Sequence, residues 1–364
     1  MKFGLCLVST FPWRLCEMAV GIAESMHADS IWAPDHFLGV VHPTLWADRP
    51  TASILNDPDA FTDPFCLGAA LGRATTIPYG VCVTDSIRRG PADVARTALT
   101  LQHLCQGGFN LGIGSGEAEN IVPFGYPYDR PVAHTEEFLK TLTTLLHTGR
   151  MPEGVGRLGL PRESQAGRVK LWVAGHGPRM LRLTGQYGDG WIPAFSMTPE
   201  EYGEKKAVIA RHAAAAGRPE PESGLFIFLL LGESRNRIKQ MFDAHPLSKL
   251  IAIFAPGETW QKYGLEHPSG SSSRGIVDVI VHELDPQTLR ELAPKIPFEL
   301  LEEGLFMGNV TEVADRFRGY AEHGCEHVVV ANLTGMVGGM DEALARMPDF
   351  SALRQNLGEL RAPA

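Results

Sequence analysis

At 364 residues, with 44% apolar and 21% charged content, the chain exceeds a small module and suits one barrel domain with insertions, taken as residues 1–364. A net charge of -9, from 33 basic and 42 acidic residues, argues against nucleic acid as a partner, because phosphate neutralisation needs a Lys/Arg surface. Six cysteines without a C-x-x-C pair argue against a zinc ribbon or dithiol motif and suit a reducing cytoplasm, while the start MKFGLCLVSTF lacks a signal peptide's apolar region and no stretch reaches the roughly 18 apolar residues of a membrane span.

Buried parallel strands read as short apolar runs followed by amphipathic helices, and that alternation recurs along the chain. Lys2–Val8 is a strand, followed by a helix near Arg14–His27, and Ser30–Ala33 is a second strand ending at Pro34-Asp35-His36. After a proline-marked loop, Pro64–Arg73 is helical, Ile77–Thr84 is the third strand, and Pro91–Cys105 is a helix with proline in its first turn. Phe109–Gly114 is the fourth strand, and a helix is expected near Pro131–His147. Lys170–Gly175 and Gly190–Pro193 are strands five and six, separated by a helix at Pro178–Tyr187. Thr198 caps a helix over Pro199–Ala216, Gly224–Leu231 is strand seven, and His327–Ala331 is strand eight after a helix at Val310–His323 that Gly324 ends. A last helix covers about Met340–Leu357. Eight such repeats favour a closed (β/α)8 TIM barrel over a doubly wound sheet, since no glycine fingerprint follows the first strand. The irregular stretches 37–63, 149–168 and 245–305 are expected as insertions decorating one rim.

In a barrel, chemistry gathers where strands end, so those positions are the candidates. Asp35 and His36 follow the second strand, where an imidazole can exchange a proton at neutral pH; a capped turn is the plainer alternative. The fourth strand runs into Gly112-Ile113-Gly114-Ser115-Gly116-Glu117-Ala118-Glu119-Asn120. Its glycines allow a ligand close to backbone, Glu117 is the candidate acid, and Glu119 reads as an exposed loop glutamate. Gly175-His176-Gly177-Pro178-Arg179 leads straight into a helix, whose first amides and dipole favour an anion such as phosphate, with Arg179 and Arg182 adding charge; a plain Gly-Pro helix start is the alternative. Arg88 and Arg89 read as solvated surface or as partners of an acidic ligand. His103 reads as a core or interface histidine.

Together these segments resemble the luciferase-like F420-dependent oxidoreductase family. The resemblance runs through Asp35-His36-Phe37, Gly112 to Ala118, Ala174 to Arg179 and Gly188-Asp189-Gly190-Trp191. Gly80 to Asp85, Trp172 to Arg182 and Gly264-Leu265-Glu266-His267-Pro268 are similar to ketoreductases of that family. The resemblance implies reduced F420 as cofactor, with FMN as the alternative, no metal, and a homodimer. It places Asp35 and His36 beside the deazaflavin, Glu117 nearby as second acid and Gly116 in the same loop. Val81 and Cys82 align with a non-prolyl cis peptide behind the ring. Thr84 would approach the ring or its ribityl chain, and Gly175 to Arg179 would hold the phosphate tail. Sugar-phosphate dehydrogenases of the family carry a lysine after strand six; here Pro193 to Thr198 holds no cation, which favours an apolar ketone. His36 would then supply the proton with Asp35 orienting its ring. An FMNH2-dependent monooxygenase, a C=C or C=N reductase and a non-catalytic flavin-binding barrel are the competing readings.

Overall fold

The computed structural model describes residues 1–360 apart from Val8, Phe195 and Ser196. Its main sheet contains β1 (Lys2–Cys6), β2 (Ser30–Ala33), β3 (Tyr79–Asp85), β4 (Phe109–Gly114), β5 (Lys170–Val173), β6 (Gly190–Trp191), β7 (Glu222–Leu231), β8 (Leu305–Gly308) and β9 (His327–Asn332), all parallel. All but β8 close an eight-stranded barrel, because β9 pairs with both β1 and β7 while β6 pairs with β7. Each strand is a short apolar run with helices outside it, as burial on both faces requires; β4 is buried along its whole length. Helix starts follow local chemistry: Asp63 caps Pro64–Leu71 through the amides of Phe65 and Cys66, and Thr198 with Glu201 forms a capping box on Pro199–Ala215.

The barrel interior is filled by Trp32, Cys82, Trp172, Ile192 and Val329, with the two indoles edge to face at 5.7 Å. Room for them comes from Gly80 and Gly190, where an added Cβ would lie 2.3 Å from the Trp32 and Trp172 rings respectively. A larger apolar layer, including Leu5, Ile31, Val81 and Leu111, faces the surrounding helices.

Three expectations change. The stretch ending at 305 delivers a ninth strand, β8, which extends the far half of β7 through Leu305↔Phe228 to Gly308↔Leu231. The last helix is two, Thr334–Ala345 and Met347–Glu359, with a non-helical Gly339 inside the first. The insertions do not share a rim. Residues 37–63 and 245–305 meet through Asp59–His282 at 2.9 Å and Asp48–Arg290 at 2.8 Å. Residues 149–168 instead connect a helix end to the start of β5, so they lie at the opposite, N-terminal end. There, Arg162, Ala166 and Arg168 line a cavity of about 690 Å³ with Lys2, Lys170 and Glu222. Among the described residues no helix is long and apolar enough to cross a membrane.

Candidate active site

The C-terminal ends of β2, β3 and β4 bring a compact polar group together. Asn120 holds its centre. Its Oδ1 accepts the backbone N–H of Phe37 at 2.7 Å and of Leu38 at 3.3 Å, so its amide N–H groups face the other way. They lie 3.2 Å from His36 Nδ1 and 3.3 Å from Glu117 Oε2. Asn120 therefore donates to Nδ1, which places the ring proton of a neutral His36 on Nε2. Nε2 faces Glu117 Oε2 at 3.6 Å, and Nδ1 has Glu119 Oε1 at 3.7 Å. The Phe61 ring covers the imidazole at a centroid distance of 5.6 Å.

His36 and Glu117 thus meet at the barrel mouth as expected. Two readings of their surroundings are corrected. Glu119 is not an exposed loop residue: it is 0% exposed, because the four-residue helix Ala118–Ile121 is buried throughout. Asp35 does not orient the imidazole. Its carboxylate lies 3.3 Å from Arg88 Nη2 and 3.5 Å from Arg89 Nε, so it ties β2 to the loop after β3. Arg88 is correspondingly buried, paired with Asp85 and stacked over Phe37, rather than solvated. His103 is exposed, with Nε2 on the Pro161 carbonyl at 3.0 Å, and is no core residue. His267 of the Gly264–Pro268 segment is a structural strut, buried against Trp260 with Nε2 on the Ile253 carbonyl at 2.9 Å.

Partial burial lifts the Glu117 carboxyl above its ordinary pKa, against the opposing pull of His36, Arg88 and the Asn120 hydrogen bond. Burial lifts Glu119 much further, aided by the negative charge of Glu117 and Asp59. Donor atoms of His36, Glu117 and Glu119 fall within 4.8 Å of one another. The Asn120 amide nitrogen reaches two of the three residues.

The ring-facing expectations are also revised. The non-prolyl cis bond joins Cys82 to Val83, one residue beyond the expected place. Val81 is still in register with Leu111, and the ladder to β4 shifts only between Val81 and Thr84. Val81 packs outward against the helices and cannot face a ligand in the mouth. Thr84 is 0% exposed, and its Oγ1 is buried with no partner among the described residues. The apolar floor is instead made by Cys6, Val83, Ala174 and Phe226, all half-buried above the interior indoles.

Gly177 starts the helix Pro178–Tyr187 with no side-chain cap, and a Cβ there would meet nothing within 4 Å among the described residues. Gly175 has no such freedom, since its Cβ would fall 2.5 Å from that of Met180. His176, Gly177, Pro178 and Arg179 are exposed. Arg179 and Arg182 are both held by Glu136, at 2.6 and 2.9 Å, and these bonds hold the Glu136 carboxyl below its usual pKa. Gly116, with φ +91°, would put a Cβ 2.4 Å from Ile121 Cδ1, so only glycine fits this turn under the short helix.

The sequence reading missed Asn120, Glu119, Phe61 and Glu136. Asn120, three residues after Glu117, was the detectable one; nothing in sequence pairs Phe61 with His36 or Glu136 with two distant arginines.

Residues 1–327 match the family model described as luciferase-like monooxygenase. The chain is 33% identical over 340 residues to the phthiodiolone/phenolphthiodiolone dimycocerosates ketoreductase of Mycobacterium kansasii, covering 88% of this chain and 91% of that protein. It is 33% identical over 349 residues to the ketoreductase of the same name from Mycobacterium tuberculosis H37Rv, with 90% and 88% covered. Among solved structures, an F420-dependent secondary alcohol dehydrogenase in complex with an F420-acetone adduct superposes with a TM-score of 0.71 at 19% identity, covering 98% of both chains. The coenzyme F420 dependent tetrahydromethanopterin reductase of Methanopyrus kandleri follows at 0.67 and 16%, covering 99% of this chain and 98% of that one.

Proposed function

The chain belongs to the luciferase-like monooxygenase family of oxidoreductases, and we propose that it is an F420H2-dependent reductase of a ketone in an apolar or natural-product substrate. The observation that carries this reading is His36, held by Asn120 at the barrel mouth with its Nε2 proton beside Glu117 and an apolar floor in the same mouth. The relatives named as ketoreductases support the ketone. After β6, Pro193, Ala194 and Met197 offer no cation to a sugar phosphate; Phe195 and Ser196 lie outside the described residues.

The residues fit a cofactor with a flat ring and an anionic tail. The floor of Cys6, Val83, Ala174 and Phe226 is apolar, and the uncapped helix start at Gly177 is open to an anion. Gly116, Cys82 and Asp35 lie behind or beside the ring position in this reading. Gly175, His176, Gly177 and Pro178 form the phosphate cradle, and Arg179 exchanges Glu136 for phosphate. When bound, reduced F420 supplies a hydride to the carbonyl carbon. His36 Nε2–H protonates the oxygen on which charge develops, and Asn120 keeps the ring aimed. Glu117 stabilises the proton-bearing Nε2. The partners in this reading are the apolar ketone and a second copy of the chain, in the cytoplasm.

Titration with F420, FMN and NADP tests the cofactor, and anaerobic oxidation of F420H2 by added ketones tests the reaction. His36→Ala is expected to lower turnover about 100-fold or more while F420 affinity changes little. Near-normal turnover would remove His36 from the mechanism. The family description favours one second reading, an FMNH2-dependent monooxygenase. Oxygen consumption with FMNH2 and no ketone-dependent loss of F420H2 would establish that reading instead.

A further inference from the structure

Glu119 is the least explained group in the mouth. Both carboxylate oxygens are buried without a hydrogen-bond partner among the described residues, and the side chain is 0% exposed. An ionised carboxylate in that position would lose its hydration with no donor to replace it. The groups facing it do not help. Glu117 is on its own loop, and Asp59 comes from the insertion that folds over the mouth; both carry like charge. Asp59 is itself satisfied by the Gly39 amide at 2.6 Å and His282 Nε2 at 2.9 Å, so it offers Glu119 no proton. Among the described residues, His36 Nδ1 lies 3.7 Å from Glu119 Oε1, and a Glu117 carboxylate oxygen falls within the same 4.8 Å group. Asn120 marks that nitrogen as an acceptor. An acceptor opposite an oxygen is tolerable only if the oxygen carries a hydrogen.

We propose that Glu119 is a protonated carboxylic acid that stores the proton His36 delivers, passing it to Nδ1 as Nε2 gives its own away. This rests on the ketone-reducing reading above. As hydride reaches the carbonyl carbon, the His36 Nε2–H bond breaks and an O–H bond forms on the substrate oxygen. The Glu119 O–H bond breaks and an Nδ1–H bond forms, the Asn120 N–H giving up Nδ1 while the amide keeps Glu117 Oε2 as its acceptor. The imidazole stays neutral with its tautomer exchanged, and Glu119 becomes a carboxylate that accepts from the new Nδ1–H. His36, partly exposed at the mouth, returns a solvent proton to Glu119 before the next turnover. Closing 3.7 Å to hydrogen-bond reach takes a movement of about 0.7 Å, in keeping with catalytic contacts that tighten once substrate is bound. Glu119 is a positioning residue: it acts on substrate only through His36.

Glu119→Gln separates storage from structure. A glutamine N–H can still donate to Nδ1, so a merely structural role leaves this variant unchanged. A proton store predicts that kcat for ketone reduction falls about 10-fold to 100-fold with F420 affinity retained. It also predicts that the alkaline fall in kcat caused by loss of the Glu119 proton is absent from the variant. An unchanged kcat and pH profile overturns the proposal. A second arm needs no cofactor. Infrared spectra of the whole protein at neutral pH should show the carbonyl stretch of a protonated carboxylic acid, shifted in deuterium oxide and absent from Glu119→Gln. Absence of that band from the wild type, or one equivalent of tightly held divalent metal that Glu119→Gln loses, overturns the store. If no ketone oxidises F420H2 while the band is present, the function reading fails and the protonated Glu119 stands.

Discussion

Asn120→Ala is the change whose cost follows most directly from the geometry. Removing the amide strips the Phe37 N–H of a 2.7 Å acceptor and the Leu38 N–H of a weaker one at 3.3 Å, and takes the donors from His36 and Glu117. A buried donor left unpaired costs about 1–3 kcal/mol. The Phe37 amide is only partly buried, so about 2 kcal/mol is a fair total for stability. With an unfolding entropy near 2.1 cal/mol/K per residue, 364 residues give about 0.8 kcal/mol/K, so the melting temperature should fall by about 2–3 °C. Activity should suffer more. The 36–38 turn loses its anchor, and a misplacement of about 1 Å at a reacting group costs on the order of 100-fold. Asn120→Asp keeps the acceptor for the two backbone amides but adds charge beside Glu117 and Glu119. It should spare more of the anchoring yet still lose turnover. Calorimetry and anaerobic F420H2 oxidation read both quantities. An Asn120→Ala protein that melts with the wild type and turns over within about twofold of it would refute the assignment of Asn120 as the clamp on His36.

Gly116→Ala should destabilise the fold by about 1–3 kcal/mol in urea titrations, since it combines φ +91° with a Cβ placed 2.4 Å from Ile121 Cδ1. Glu136→Gln should tighten F420 about tenfold in a fluorescence titration by freeing Arg179 and Arg182, and Arg179→Ala should weaken it by a similar factor. At the N-terminal end, burial alone would raise the Glu222 pKa, but hydrogen bonds from His327, Lys170 and Lys2 override it and hold the carboxyl well below its usual range. Its stabilisation is therefore present above the unfolded-state pKa and lost as pH falls through the folded one; Glu222→Gln should cost on the order of 2 kcal/mol at neutral pH and flatten the acid limb of the stability curve. Glu119 has the opposite sign. Its raised pKa gives stability that is complete below the unfolded-state value and drains away as pH rises, so Glu119→Gln should flatten the alkaline limb in pH-dependent melts.

The barrel was legible because its signals are local. Apolar runs such as Phe109–Gly114 and Gly224–Leu231, proline-led helices and Thr198 as a cap each report their own backbone. Strand ends were therefore placed well enough to bring His36 and Glu117 forward as candidates. Their partners were not legible. Charge on Asp35 suggested a neighbour for His36, but Arg88 and Arg89 take that carboxylate, while Glu119, read as solvated, is driven inside by the turn that Gly116 and Ile121 enforce. Composition and periodicity decide which face of a strand or helix is apolar, because that depends on neighbours a few residues away. Which polar side chains share a proton depends on how eight strands and two insertions close on one another, and only the folded chain sets those distances.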